Sequence, residues 1–100
     1  MQRGEIWTVI PVMHPKPRPA VLVSVDTWNT VAPDVIVVPL TTRRGPSRPS
    51  VQHPSLRHAT YAKCGAMGAL PKTNLKERIG RVDDATLAAI GLELRRLLGL

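Results

Sequence analysis

The sequence is poor in aromatic residues and in cysteine, and each shortage excludes some classes of protein. It has no phenylalanine, and its three aromatic residues are Trp7, Trp28 and Tyr61. We therefore expect an aliphatic core and no broad aromatic surface for stacking many bases. Cys64 is the only cysteine, which excludes an intramolecular disulfide framework. No apolar run reaches the ~20 residues of a membrane helix, and charged residues interrupt the N-terminus, so we expect a cytoplasmic protein without membrane contact.

Acidic residues are also scarce, and this is the first clue to a partner. Seven Asp and Glu stand against fourteen Lys and Arg, and ten of those fourteen are Arg. Arginine presents a planar fork that binds phosphate through two hydrogen bonds. A pI near 10.8 fits a polyanionic partner such as nucleic acid or an acidic protein segment. A solvated basic surface without a specific partner would have the same composition, so charge alone leaves both readings open.

Apolar runs in the first half of the chain predict strands. The 100 residues are enough for one domain, and we expect residues 1–100 to form it. Runs rich in Val and Ile bounded by Pro and Asp favour buried strands over helices. The predicted strands are 4–10, 20–25 and 35–40, with a brief strand through Val51 and another over 61–66. Pro39 indicates a sheet edge, a bulge or a strand end. A short helical turn is predicted from Thr73, as its N-cap, to Gly80.

The end of the chain predicts an amphipathic helix. Asp83 is the expected N-cap, Asp84 lies in the first turn and Gly99 ends the helix. The apolar residues at helical spacing are Leu87, Ile90, Leu94, Leu97 and Leu98, and the cations Arg95 and Arg96 occupy the last turn. Strands followed by one helix indicate a mainly β fold, a β-rich α+β domain in which a C-terminal helix packs on a small barrel-like sheet.

Two polar residues flank the predicted strands at positions suited to chemistry. Arg18 follows a proline-rich loop and directly precedes the second strand, and Thr41 directly follows the third. If these strands are antiparallel neighbours, the two side chains meet. Arg18 would then offer several donors to one phosphate and Thr41 a hydroxyl beside it.

These residues belong to a series of motifs that resembles a known family. RGEIW at 3–7, RPAVLVS at 18–24 and VPLTT at 38–42 are followed by TYA at 60–62, LPKT at 70–73 and IGRV at 79–82. Their order and spacing are similar to those of the MazF/PemK/Kid toxins over nearly the whole chain. The motifs are weak individually and fairly specific together.

The resemblance implies a fold, an activity and partners. The fold is a small SH3-like barrel of the MazF/PemK/CcdB type, assembled as a homodimer. The activity is that of an mRNA interferase, a metal-independent endoribonuclease that cuts single-stranded RNA selectively and leaves 2′,3′-cyclic phosphate and 5′-hydroxyl ends. The family's catalytic arginine and threonine correspond to Arg18 and Thr41. No cofactor is implied, and the partner is an antitoxin with an acidic or extended inhibitory segment.

Further residues are weaker candidates. His14 is a candidate for proton transfer or substrate contact, because histidine titrates near neutrality. Candidates for RNA binding are Lys16, Ser24, Thr42, Arg43, Arg44 and Arg48. We expect no metal site. Residues 13–17 read MHPKP, basic where many family members carry an acidic stretch, so the resemblance leaves the proton-transfer scheme and the base preference open here.

Two other functions are compatible with the same fold. A CcdB-like toxin poisons gyrase by binding it without catalysis, and a basic RNA-binding module would show no turnover. Arg18 and Thr41 discriminate between these readings, since RNA cleavage uses both and gyrase binding requires neither.

Overall fold

The computed structural model describes residues 1–100 as a curled antiparallel sheet with a C-terminal helix. The strands are β1 Glu5–Val9, β2 Arg18–Leu22, β3 Asp34–Thr41, β4 Ser50–Val51, β5 Thr60–Ala62, β6 Gly68–Pro71 and β7 Leu75–Arg81. The helices are α1 Asp26–Val31 and α2 Asp84–Leu98, with 3-10 turns at Cys64–Ala66 and Lys72–Asn74. The expected mainly β fold with a terminal helix is confirmed. No helix combines the length and apolar character needed to cross a membrane.

Strand β3 is the centre of the sheet. The strand order is β4-β5-β3-β2-β1-β7, and β6 pairs with β3 off this path. On one edge of β3, β6 pairs as far as Val37 and β5 pairs from Leu40 onward. Pro39 therefore lies where β3 changes neighbours, a position that tolerates its missing N–H. Its carbonyl accepts the backbone N–H of Lys63 at 2.8 Å.

Both faces of β2 and β3 are buried, which explains their continuous apolar runs. One cluster contains Val21 and Val38 and packs against Ile90 of α2. A second cluster on the other face contains Leu22 and Val37, with Leu70 and Leu75. The prediction of buried strands here is confirmed, although β2 begins at Arg18 and ends at Leu22, earlier than expected.

Helix α2 has the predicted ends. The Asp83 side chain accepts the backbone N–H of Thr86 at 2.7 Å, and Gly99 ends the helix in the left-handed region at φ 73°. The apolar face is shorter than predicted, because Leu97 and Leu98 are 49% and 53% exposed. Packing on the core ends at Leu94, one turn earlier.

Two local predictions are wrong. The segment predicted as a helical turn from Thr73 to Gly80 is mostly strand β7, since pairing with β1 prevails over its weak local preference. The strand expected over 61–66 stops at Ala62 and continues as a 3-10 turn. Helix α1 and strand β6 were not anticipated. The N-cap of α1 is Val25, which offers no side-chain hydrogen bond, and β6 shows no apolar alternation.

A buried carboxylate joins the N-terminus to the sheet. Glu5 Oε1 accepts the Gln2 N–H at 2.8 Å and the Trp7 indole N–H at 3.1 Å, and Oε2 lies 3.2 Å from Arg78 Nε. Burial opposes ionisation, but these hydrogen bonds and the positive charges of the N-terminus and Arg78 hold the pKa of Glu5 below its ordinary value of 4.5.

We expect Glu5→Gln to destabilise the protein by about 1–3 kcal/mol at neutral pH, because it removes the charge from these interactions. A lowered pKa in the folded state adds stability above pH 4.5 that is lost as the pH falls through the folded-state pKa. The free energy of unfolding in urea, measured from pH 7 to pH 3, should fall less steeply for the variant. If the free energy of unfolding depends on pH in the same way for both proteins, the lowered pKa of Glu5 is not the source of this stability.

Candidate active site

The pairing of β2 with β3 brings Arg18 and Thr41 side by side. The two strands are antiparallel, with Ala20 opposite Pro39. The same register, continued by two residues on each strand, places Arg18 opposite Thr41. Cross-strand partners project from the same face with Cβ atoms about 4.5–5.5 Å apart. The condition on which the sequence prediction depended, antiparallel neighbouring strands, is therefore met.

A groove of about 790 Å³ opens over these two residues. The proline-rich loop before β2 forms one wall, and the end of β3 with the segment around β6 forms the other. The polar side chains that line it are His14, Arg18, Thr41, Thr42, Arg43, Thr60 and Lys63. The structure thus brings together five residues singled out in the sequence and adds Lys63, which was missed.

The groove is strongly cationic. No Asp or Glu lines it, whereas Arg18, Arg43 and Lys63 do. The Arg18 side chain is exposed and forms no hydrogen bond or ion pair within the chain, so its donors are free for a ligand. The sequence itself carries a signal for this, since it has no acidic residue between Asp34 and Glu77, a stretch that contains Lys63.

The Thr41 hydroxyl is oriented by the backbone. Its Oγ1 accepts the N–H of Arg43 at 3.2 Å. A hydroxyl has two acceptor positions and one proton, so the proton of Thr41 stays available for donation into the groove. Together with Arg18, it provides hydrogen-bond donors for a tetrahedral anion such as phosphate.

Comparison with known proteins gives the family. The model of the "PemK-like, MazF-like toxin of type II toxin-antitoxin system" family matches residues 2–98. The chain belongs to this family. It resembles a mycobacterial endoribonuclease solved in complex with its cognate antitoxin, with 27% identity and a TM-score of 0.88 over 100% of this chain and 96% of that one.

Two other solved structures show the same fold. A second mycobacterial endoribonuclease is 28% identical, with a TM-score of 0.83 over 100% of this chain and 92% of that one. MazF from Deinococcus radiodurans is 18% identical, with a TM-score of 0.84 over 100% of this chain and 97% of that one. The resemblance drawn from the motifs is confirmed, as is the MazF-type fold.

The loop after β3 in this toxin is held by its own arginine. Arg48 Nη1 donates to the carbonyl of Arg43 at 3.0 Å and to that of Arg44 at 3.5 Å. Its guanidinium lies over Gly45, where a Cβ would come within 3.1 Å of it. Arg48 therefore contacts backbone, and neither Arg48 nor Arg44 lines the groove.

Two further predicted RNA-binding residues, Ser24 and Lys16, also lie outside the groove. Ser24 is buried beyond the far end of β2, where its hydroxyl donates to Asn29 Oδ1 and accepts the N–H of Ile36 at 3.0 Å. Its contacts link α1 to β3. Lys16 is exposed in the loop before β2 and does not line the groove.

Cys64 and His53 lie away from this groove. Burial and the negative charge of Glu93 raise the pKa of the Cys64 thiol, which keeps it protonated at neutral pH. His53 Nδ1 accepts the backbone N–H of Ser55 at 3.0 Å, and its ring packs on Gly80. No group of three or more His, Cys, Asp and Glu side chains is placed to hold a metal ion.

Proposed function

We propose that this toxin is a metal-independent endoribonuclease, a single domain of residues 1–100 that cleaves single-stranded RNA in the groove over Arg18 and Thr41. The observation that carries the proposal is the combination of an unpaired arginine, a backbone-oriented hydroxyl and a histidine in one acid-free groove. The two mycobacterial structures it resembles at 27% and 28% identity are both endoribonucleases, which supports the proposal. RNA is found in the cytoplasm, where we expect the toxin to act.

The reaction that suits these groups is attack by the RNA's own 2′-hydroxyl. Its oxygen forms a bond to the adjacent phosphorus while the bond from phosphorus to the 5′-oxygen breaks. The 2′-hydroxyl gives its proton to a base, and the departing 5′-oxygen receives a proton. The products are a 2′,3′-cyclic phosphate and a 5′-hydroxyl. DNA lacks the 2′-hydroxyl and cannot react in this way.

The groove residues take distinct roles in this reaction. Arg18 and Thr41 donate to the non-bridging oxygens, where negative charge grows in the transition state. His14 accepts or supplies the moving proton, because no carboxylate lines the groove and arginine is a poor base. Arg43 and Lys63 bind flanking phosphates, and Thr42 lies beside them. The nucleophile belongs to the substrate, so the scheme uses no metal-bound water.

An antitoxin and a second copy of the chain are the proposed protein partners. A cationic groove accommodates an acidic or extended segment that competes with RNA. One of the similar mycobacterial structures contains an endoribonuclease with its cognate antitoxin. Leu92, Leu97, Leu98 and Leu100 are exposed on or after α2, and a homodimer contact would cover apolar surface of this kind.

The decisive experiment is cleavage of a long mixed-sequence RNA in EDTA, with the matching DNA in parallel. We expect discrete RNA fragments whose ends, read by mass spectrometry, are 2′,3′-cyclic phosphate and 5′-hydroxyl. A single 2′-deoxy substitution at the mapped site should abolish cleavage there. Intact RNA across several sequences would overturn the proposal and favour a protein-binding toxin. Binding without turnover would favour an RNA-binding module.

A further inference from the structure

A row of paired residues continues from the groove across the sheet. The β2–β3 register, extended by two residues, sets Arg18 opposite Thr41; Thr41 pairs with Tyr61 of β5, and Tyr61 pairs with Ser50 of β4. Because cross-strand partners project from one face, Tyr61 and Ser50 continue this row beyond the residues that line the groove. Neighbouring strands are about 4.8 Å apart, so Tyr61 lies roughly 10 Å from the Arg18 position.

No Trp or Tyr lines the groove, and Tyr61 is the one that lies directly beside it, as the β5 partner of Thr41. Trp7 packs against the second core cluster and its indole N–H is bound to Glu5. Trp28 is exposed on α1, near the start of β3, whereas Thr41 is at the end of that strand. Tyr61 is only partly buried, whereas its neighbours Thr60 and Ala62 are buried.

The Arg44 guanidinium lies against the Tyr61 side chain. Its Nε donates to the Tyr61 hydroxyl at 2.9 Å, and its Cζ lies 5.9 Å from the ring centroid. Arg48 in turn donates to the carbonyls of Arg43 and Arg44, at 3.0 and 3.5 Å, and these bonds restrain the loop that carries the guanidinium. Tyrosine rings and arginine planes are the surfaces on which unpaired RNA bases stack.

We propose that Tyr61 and Arg44 form a base-stacking subsite, which holds one unpaired base next to the phosphate bound by Arg18 and Thr41. This inference rests on the proposed function and adds a residue that selects and positions the RNA. It also gives Arg44 a role in stacking instead of phosphate binding. A single ring provides room for one base, in agreement with the low aromatic content of the chain.

The test uses an RNA made uncleavable by a 2′-deoxy nucleotide, with the fluorescent base 2-aminopurine placed at successive positions. We expect quenching at one position beside the scissile phosphate with the wild type and with Tyr61→Phe, which keeps the ring. Tyr61→Leu should lose that quenching and bind RNA about 5- to 100-fold more weakly, as expected for one stacked base. Trp28→Leu is the matched control and should behave as the wild type.

Cleavage kinetics separate this inference from the proposed function. On cleavable RNA, Tyr61→Leu should raise KM and leave kcat largely unchanged. Arg44→Ala, which keeps the Tyr61 ring, should likewise raise KM and leave kcat largely unchanged. Suppose that the wild type cuts RNA, and that Tyr61→Leu matches Tyr61→Phe in RNA affinity, in quenching of 2-aminopurine and in cleavage. The stacking subsite is then wrong, and the proposed function stands. If the wild type cuts no RNA, the function fails, and the quenching scan still reports whether a base stacks on Tyr61.

Discussion

Replacing Arg18 by alanine is expected to lower kcat for RNA cleavage by about 10²–10³, the effect of removing one preorganised donor to a developing oxyanion. The side chain is exposed and unpaired within the chain, so the fold does not depend on it. We therefore expect an unchanged melting temperature together with the loss of activity. Arg18→Lys should restore the charge but little of the rate, since an ammonium cannot form two parallel hydrogen bonds to one phosphate.

Arg57→Ala is the matched control for this experiment. It removes the same charge from an exposed residue that does not line the groove. Single-turnover rates at saturating protein, compared among Arg18→Ala, Arg18→Lys, Arg57→Ala and the wild type, separate a local effect from loss of net charge. Equal losses in Arg18→Ala and Arg57→Ala would show that Arg18 contributes only to the general electrostatic attraction of RNA.

The sequence predicted the centre of this groove because each residue there adjoins a strong pattern. Arg18 and Thr41 flank apolar runs that strongly predict buried strands. Because the apolar side chains of both strands must be buried, few pairing registers between the two strands are possible. Asp83 and Gly99 were found for a similar reason, since helix caps depend on local chemistry. Features of this kind are determined by a few neighbouring residues, so the local sequence is enough to predict them.

The rest of the groove depends on contacts between distant parts of the chain. Lys63 reaches it because its N–H bonds to the carbonyl of Pro39, and β6 is defined by its pairing with β3. Strand β7 reads LKERIGR, with no alternation of apolar residues, and is a strand because β1 pairs with it. The positions of Arg44 and Arg48 depend on a loop in which Ser47 adopts a positive φ of 57°. None of these has a local signal.

Substitution of His14 is the second change expected to lower the cleavage rate strongly. General acid–base catalysis contributes about 10²–10⁴ in rate, and His14 is the groove residue whose side-chain type exchanges protons near neutral pH. His14→Asn should therefore lower kcat by at least about 10² and change the dependence of kcat on pH. Its backbone N–H bonds to the carbonyl of Pro11, a contact that the substitution keeps.

His58→Asn is the control, because His58 is exposed and lies outside the groove. Single-turnover pH profiles of both variants and the wild type give the comparison, and free imidazole should partly restore His14→Asn but leave Arg18→Ala unaffected. A variant with raised KM, unchanged kcat and the wild-type pH profile would make His14 a substrate contact. The proton would then have to move through water or the substrate, since no carboxylate lines the groove to replace the imidazole.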